Sequence, residues 1–165
     1  MGIIIEAHTV EHFTAIEGLA RRIIPAFYAK YFAVETAGWL VESGHTIEAL
    51  EVQAGRGSRH FLIDWGGEAV GYFSLSVEGT GMLLSHFYLL PEYRGRGMGK
   101  MVMEFIEEMG RESGMRYIEL FVLRENKAAV GLYTRSGFVV AAEVLTRLGN
   151  GAVLEDYIMR KCVDR

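Results

Sequence analysis

The residues Arg94-Gly95-Arg96-Gly97-Met98-Gly99-Lys100 follow an apolar run that ends at Pro91, and they lead straight into an amphipathic pattern. Residues of these types in this order make an anion cradle. Glycines let the backbone approach a ligand and adopt positive φ, while the unpaired N–H groups of a first helical turn point at phosphate oxygens. Arg94 and Arg96 add charge-assisted donors. Spacing then narrows the ligand. A Walker loop would need glycine where Arg94 stands and Ser or Thr where Met101 stands, and a dinucleotide fingerprint begun at Gly95 would need glycine at Lys100.

A second segment, Asn126 to Phe138, has the marks of a short capped helix: Asn126 suits an N-cap and Gly137 a C-terminal cap. Tyr133 lies about two helical turns beyond Asn126, so both can face one side. Its position alone fits either a core tyrosine or a hydroxyl that handles a proton.

The two segments, Arg94-x-x-Gly97-x-Gly99 and then Asn126…Tyr133…Gly137-Phe138, resemble the two coenzyme segments of the GCN5-related N-acetyltransferases (GNAT family). That resemblance implies acetyl-coenzyme A as cosubstrate, no metal, and transfer of the acetyl group to a primary amine by direct attack in a ternary complex. It implies that Arg94, Gly95, Arg96, Gly97, Met98, Gly99 and Lys100 hold the pyrophosphate. Asn126, Ala129 and Tyr133 line the coenzyme, and Tyr133 protonates the departing thiolate. The edge of the strand before the loop, at Phe87, Tyr88 and Leu89, pairs with the pantetheine arm like an added strand.

These residues need a frame. Ile3 to Ala7 reads as a strand, and Thr9 caps a helix with Phe13, Ile16, Leu19, Ile23 and Ile24 at helical spacing, which Pro25 is expected to interrupt or kink. Residues 26–53 are mostly helical with a break at Gly44, and Ala54 to Ser58 is a linker. Strands follow at His60 to Trp65, Glu68 to Val77 and Met82 to Leu90, the first two joined at Gly66-Gly67. From Met98 the residues Met101, Val102, Phe105, Ile106 and Met109 form one apolar helical face, with Glu104, Glu107 and Glu108 on a mostly solvated face. Strands at Arg116 to Leu123, Phe138 to Leu145 and Leu154 to Lys161 complete the chain, with the Tyr133 helix between the first two. The pattern is α/β. By resemblance it is the acyl-CoA N-acyltransferase fold, one domain over residues 1–165, with a mostly antiparallel mixed sheet of about seven strands, splayed at its centre and flanked by helices.

Such a transfer needs a base, because an amine with a pKa of about 10 is almost wholly protonated at neutral pH. The positions at which relatives carry a glutamate hold Leu83, Ser85, His86 and Phe121 here, which leaves His86 as a candidate base, Glu119 as another, and water as a relay. For the acceptor, residues 32–43 and the closing 156–161 resemble the polyamine acetyltransferases of the PaiA type. Tyr31, Glu35 and Trp39 then become candidate substrate contacts, with a solvated acidic face and core aromatics as the plainer reading.

A net charge of -4 argues against a nucleic-acid partner. Cys162 is the only cysteine, which excludes an intramolecular disulfide or a thiolate metal cluster. With no signal-like start and no run of membrane-spanning length, the expected setting is the cytoplasm, with no membrane partner. A homodimer is compatible with all of this. Two alternatives stay open: transfer to protein N-termini or lysines, and a noncatalytic module that binds acyl-coenzyme A.

Overall fold

The computed structural model describes residues 1–163. In chain order the elements are β1 (Gly2–Glu6), α1 (Val10–Tyr28), α2 (Val34–Gly44), α3 (Ile47–Gly55), β2 (Arg59–Trp65), β3 (Glu68–Glu78) and β4 (Gly81–Leu89). A 3-10 turn (Pro91–Tyr93), α4 (Met98–Glu112), β5 (Tyr117–Leu123), α5 (Lys127–Arg135), β6 (Val139–Arg147) and β7 (Val153–Cys162) follow. The strands run in the order β1-β2-β3-β4-β5-β7-β6. The chain forms two compact units, Met1–Leu75 with His86–Arg94, and Ser76–Ser85 with the residues from Gly95 onward, so that β4 passes from the second to the first at Ser85/His86.

In the first unit β1 pairs antiparallel with β2 from Gly2↔Trp65 to Glu6↔Phe61, and β2 pairs antiparallel with β3. The turn at Gly66-Gly67 has both residues at positive φ, as a tight hairpin requires. Ile16, Ile24, Leu50, Ile63, Tyr72 and Phe73 are fully buried. Thr9 caps α1 as expected, its hydroxyl accepting from the His12 N–H, and His12 returns the bond through Nδ1. Pro25 does not interrupt α1. It sits in the last turn, where its missing N–H forfeits one bond, and its own carbonyl still accepts from the Ala29 N–H at 3.1 Å. The helical break at Gly44 is real, and α3 starts at a second threonine cap, Thr46, with Glu17 of α1 accepting from the Ile47 N–H at 2.9 Å. Ala54 and Gly55, read as linker from sequence, complete α3.

In the second unit β4 and β5 are parallel neighbours, paired from Gly81↔Tyr117 to Leu84↔Leu120, and α4 lies in the connection between them. Both strands run beyond that register, β4 to Leu89 and β5 to Leu123. β5 pairs antiparallel with β7, and β7 with β6 at the sheet edge. The apolar face of α4 buries Met98, Val102, Met103 and Ile106. Met103 was not on the expected stripe, and Met101, Phe105 and Met109 are only half-buried.

Candidate active site

In the second unit Gly97 is the N-cap of α4, with φ 83 in the left-handed region and no side-chain acceptor for the first-turn N–H groups. A side chain disfavours that backbone region, and a polar cap residue would occupy the N–H groups itself. Gly95 is left-handed too, and open space surrounds the Cβ position of both glycines. Gly99 is glycine for another reason: a Cβ there would come within 3.1 Å of Leu132, so its absence lets the first turn of α4 pack against α5. The Met98 side chain is core, so Met98 faces a ligand only through its N–H. Arg96 and Lys100 are exposed, and Lys100 reaches Glu104 only at 3.8 Å.

Asn126 caps α5 by accepting from the Ala129 N–H at 3.2 Å, which commits that N–H to the helix and leaves the Asn126 amide nitrogen as a donor. At the other end the Gly137 N–H bonds Thr134 O at 3.1 Å and the Phe138 N–H bonds Tyr133 O at 3.0 Å, the paired closure of a glycine-ended helix. The Tyr133 and Phe138 rings meet at 5.9 Å. Tyr133 is buried, and burial pushes its phenol well above the usual tyrosine range, so the hydroxyl keeps its proton.

In the first unit the end of β4 carries Phe87, Tyr88 and Leu89. The Leu90 N–H bonds Val70 O at 2.9 Å, and because successive amides along a strand point to opposite sides, the N–H and C=O groups of Leu89 and Phe87 point away from β3. The Arg94 guanidinium donates to Leu89 O at 3.2 Å, tying the arginine to its own strand end. Gly71 lies beneath: a Cβ there would stand 2.6 Å from Tyr88 O and 2.9 Å from Leu89 Cδ1. Side chains on this stretch join an aromatic cluster. The His86 and His45 rings are 4.3 Å apart, His45 Nδ1 and Tyr72 OH are 2.8 Å apart, and the Tyr88 and Tyr28 hydroxyls are 3.3 Å apart.

The acetyltransferase (GNAT) family model matches residues 24–138. The chain belongs to the GNAT family. An N-acetyltransferase of Lactobacillus delbrueckii subsp. lactis is 29% identical over 115 residues, 65% of this chain and 66% of that protein. The thialysine N-epsilon-acetyltransferase of Bos taurus is 36% identical over 72 residues, 43% of this chain and 42% of that protein. The PaiA N-acetyltransferase of Thermoplasma acidophilum, solved in complex with coenzyme A, shares the fold at a TM-score of 0.80 and 20% identity, over 98% of this chain and 99% of that one.

Against this GNAT frame the two candidate bases differ. Glu119 is held by Arg160, whose Nε and Nη2 donate to it at 3.0 and 2.5 Å, and Arg160 in turn lies over the Tyr117 ring. The Glu119 carboxylate is thus engaged by a cation of β7 within the second unit. His86 lies half-buried among the rings of the first unit, and burial, with His60 second, lowers it to about 4. It is a neutral acceptor at pH 7 but a weaker one than an ordinary histidine. His45 is lowered to about 2 by burial, then by His86 and His60.

The residues suggested for the acceptor lie in the turn after α1 and in the first half of α2. Tyr31 lies in the turn after α1, half-buried against Phe27 at 5.6 Å and Phe32 at 6.5 Å. Glu35 is exposed in the first turn of α2, and Trp39 is half-buried one turn on. Glu42 is neutralised by Arg21 at 2.8 Å. Sequence reasoning missed His45, Tyr72, Tyr28 and Gly71. The first three come from separate elements, and only the glycine inside the apolar run of β3 carried a local signal, since such a glycine marks a close backbone approach.

Among the described residues no helix is long and apolar enough to cross a membrane, and no group of three or more His, Cys, Asp or Glu is placed to hold a metal ion.

Proposed function

We propose that this chain, as a single domain over residues 1–165, transfers the acetyl group of acetyl-coenzyme A to a small primary amine. The observation that carries the reading is the N-terminus of α4: a left-handed glycine cap with no side-chain acceptor, opening onto first-turn N–H groups, in a chain of the GNAT family. The named relatives act on a thialysine side-chain amine or bind coenzyme A, which supports an amine acceptor here.

In this reading the N–H groups of residues 97–100 receive the pyrophosphate, with Arg96 and the Asn126 amide beside it. Arg94, whose guanidinium bonds Leu89 O, is by the family resemblance a further candidate donor to the anion. Phe87 and Leu89 offer N–H and C=O groups to the pantetheine amides, and Tyr88 flanks them. The Leu89 N–H meets the oxygen of the thioester carbonyl as charge develops on it. The amine enters as its neutral fraction. Its nitrogen becomes far more acidic as the N–C bond forms, so even a weakly basic imidazole such as His86, directly or through one water, can take the proton. Tyr133 gives its proton to sulfur as the C–S bond breaks. Transfer is direct, and no acetyl group resides on the enzyme.

Thiol release from acetyl-coenzyme A, measured against a panel of monoamines, polyamines and peptides with free N-termini or lysines, tests the reading. Amine-dependent release with small amines is the expected result. Release with peptides alone would move the acceptor to proteins, and coenzyme binding without release would leave a noncatalytic module.

A further inference from the structure

Lys161 lies on β7, where its backbone pairs with Ile118 of β5, and its side chain is 21% exposed. The ammonium makes two bonds inside the second unit, to Glu107 Oε2 of α4 at 2.7 Å and to the backbone carbonyl of Ser136 at 2.7 Å. Ser136 is the C-cap of α5, and its carbonyl is among the helix-end acceptors that α5 itself cannot satisfy. The same tight turn holds Tyr133, whose carbonyl accepts from the N–H groups of Ser136 at 3.1 Å and Phe138 at 3.0 Å. The lysine stem runs along this turn, since a Cβ on Gly137 would stand 3.1 Å from Lys161 Cε. Glu107 is fixed on its other side by Arg111.

α4 and α5 are thus joined at two places. Near the cradle Gly99 lies against Leu132, and about two turns on along α4 the Lys161 ammonium bridges Glu107 to the closing turn of α5. The first contact sets how closely the helices approach, and the second sets where along α4 the turn bearing Tyr133 stops. Among the described residues burial, and no charged group, is the cause that raises the Tyr133 hydroxyl. Any influence of Lys161 on the acid must therefore run through position.

We propose that Lys161 is the positioning residue for the Tyr133 hydroxyl, fixing the acid-bearing turn against the helix that holds the pyrophosphate. The inference rests on Tyr133 being the general acid. An ordinary stabilising ion pair would lower activity to the same degree whether or not Tyr133 has a hydroxyl, whereas a positioning residue has nothing to position once the hydroxyl is gone.

The test is a double-mutant cycle with acetyl-coenzyme A and the best amine from the panel. Lys161→Met should lower kcat about 10- to 100-fold, the scale of a misplaced catalytic group, with coenzyme Kd unchanged by calorimetry. In a Tyr133→Phe background the same change should alter kcat by less than about twofold. Lys161→Arg, which keeps a charged donor on a long stem, should recover part of the loss. If Lys161→Met does not fold, Glu107→Gln, which removes the anionic anchor and keeps a neutral acceptor, should show a smaller loss with the same dependence on Tyr133. An equal loss of kcat in both backgrounds, or a loss of coenzyme affinity in step with kcat, would overturn the inference while leaving Tyr133 as the acid. A Tyr133→Phe enzyme with wild-type kcat would instead remove the acid itself.

Discussion

Tyr133 holds its proton because its phenol is buried, and it is aimed by a turn that closes on Gly137. Tyr133→Phe keeps the ring and its packing on Phe138, so kcat should fall by roughly 10² to 10⁴ with coenzyme affinity nearly unchanged. A wild-type turnover rate with chemistry limiting would make Tyr133 a structural residue. An unperturbed imidazole at His86 would give a limb between about pH 6 and 7. Burial moves it. Because the protonated form is disfavoured, the imidazole stays a competent acceptor until the pH falls to about 4. Once the amine's own ionisation is divided out, kcat/KM should hold level through pH 6 and drop near that value, and His86→Gln should depress the plateau. A limb near pH 6.5 that survives His86→Gln would pass the role to solvent. Nothing in the residues around His86 in sequence announced this shift, since it comes from burial and then from His60 of β2.

At the scale of elements, what could be read in the sequence was what depends on neighbours along the chain. Thr9, Asn126 and Gly137 end their helices by hydrogen bonds that reach only three to five residues, so residue type at those positions suffices. Gly97 belongs to the same group. Gly97→Val places a β-branched residue at positive φ and puts bulk where the pyrophosphate would sit, so coenzyme affinity should fall at least about tenfold. Calorimetry that finds the affinity unchanged would remove the site from this loop. Pro25 was expected to interrupt or kink α1, but the helix runs on through it to Tyr28, so the bond its missing N–H forfeits is offset by the surrounding packing of that last turn. Glu119, read as a candidate base, and Glu107, read on a mostly solvated face, each pair with a side chain of β7, Arg160 and Lys161, which no local pattern shows. Gly71 makes a prediction of its own. Gly71→Ala forces a Cβ against Tyr88 O and Leu89, so the end of β4 must shift. We expect about 1 to 3 kcal/mol of lost stability, by chemical denaturation, together with weaker coenzyme binding. Unchanged stability and affinity would show that β4 yields without consequence.

For the whole molecule the buried imidazoles make stability depend on pH. His45, His60 and His86 all titrate below the ordinary 6.5 in the folded protein, chiefly through burial. Above 6.5 both folded and unfolded chains hold them neutral, and their contribution is fully present. As the pH falls below 6.5 the unfolded chain takes up protons that the folded chain refuses, and stability is lost at up to about 1.4 kcal/mol per pH unit for each imidazole. For His86 the loss ends near pH 4. Urea midpoints should therefore drop clearly between about pH 7.5 and 5, while a flat midpoint would mean that these histidines charge freely in the folded state.

Direct transfer is settled by the intact mass of the enzyme after incubation with acetyl-coenzyme A, first without an amine and then with one. The expected result is an enzyme of unchanged mass in both cases, with thiol released and the amine acetylated only when the amine is present. An enzyme that gains an acetyl group before any amine is added, and loses it to the amine afterwards, would contradict direct attack in a ternary complex.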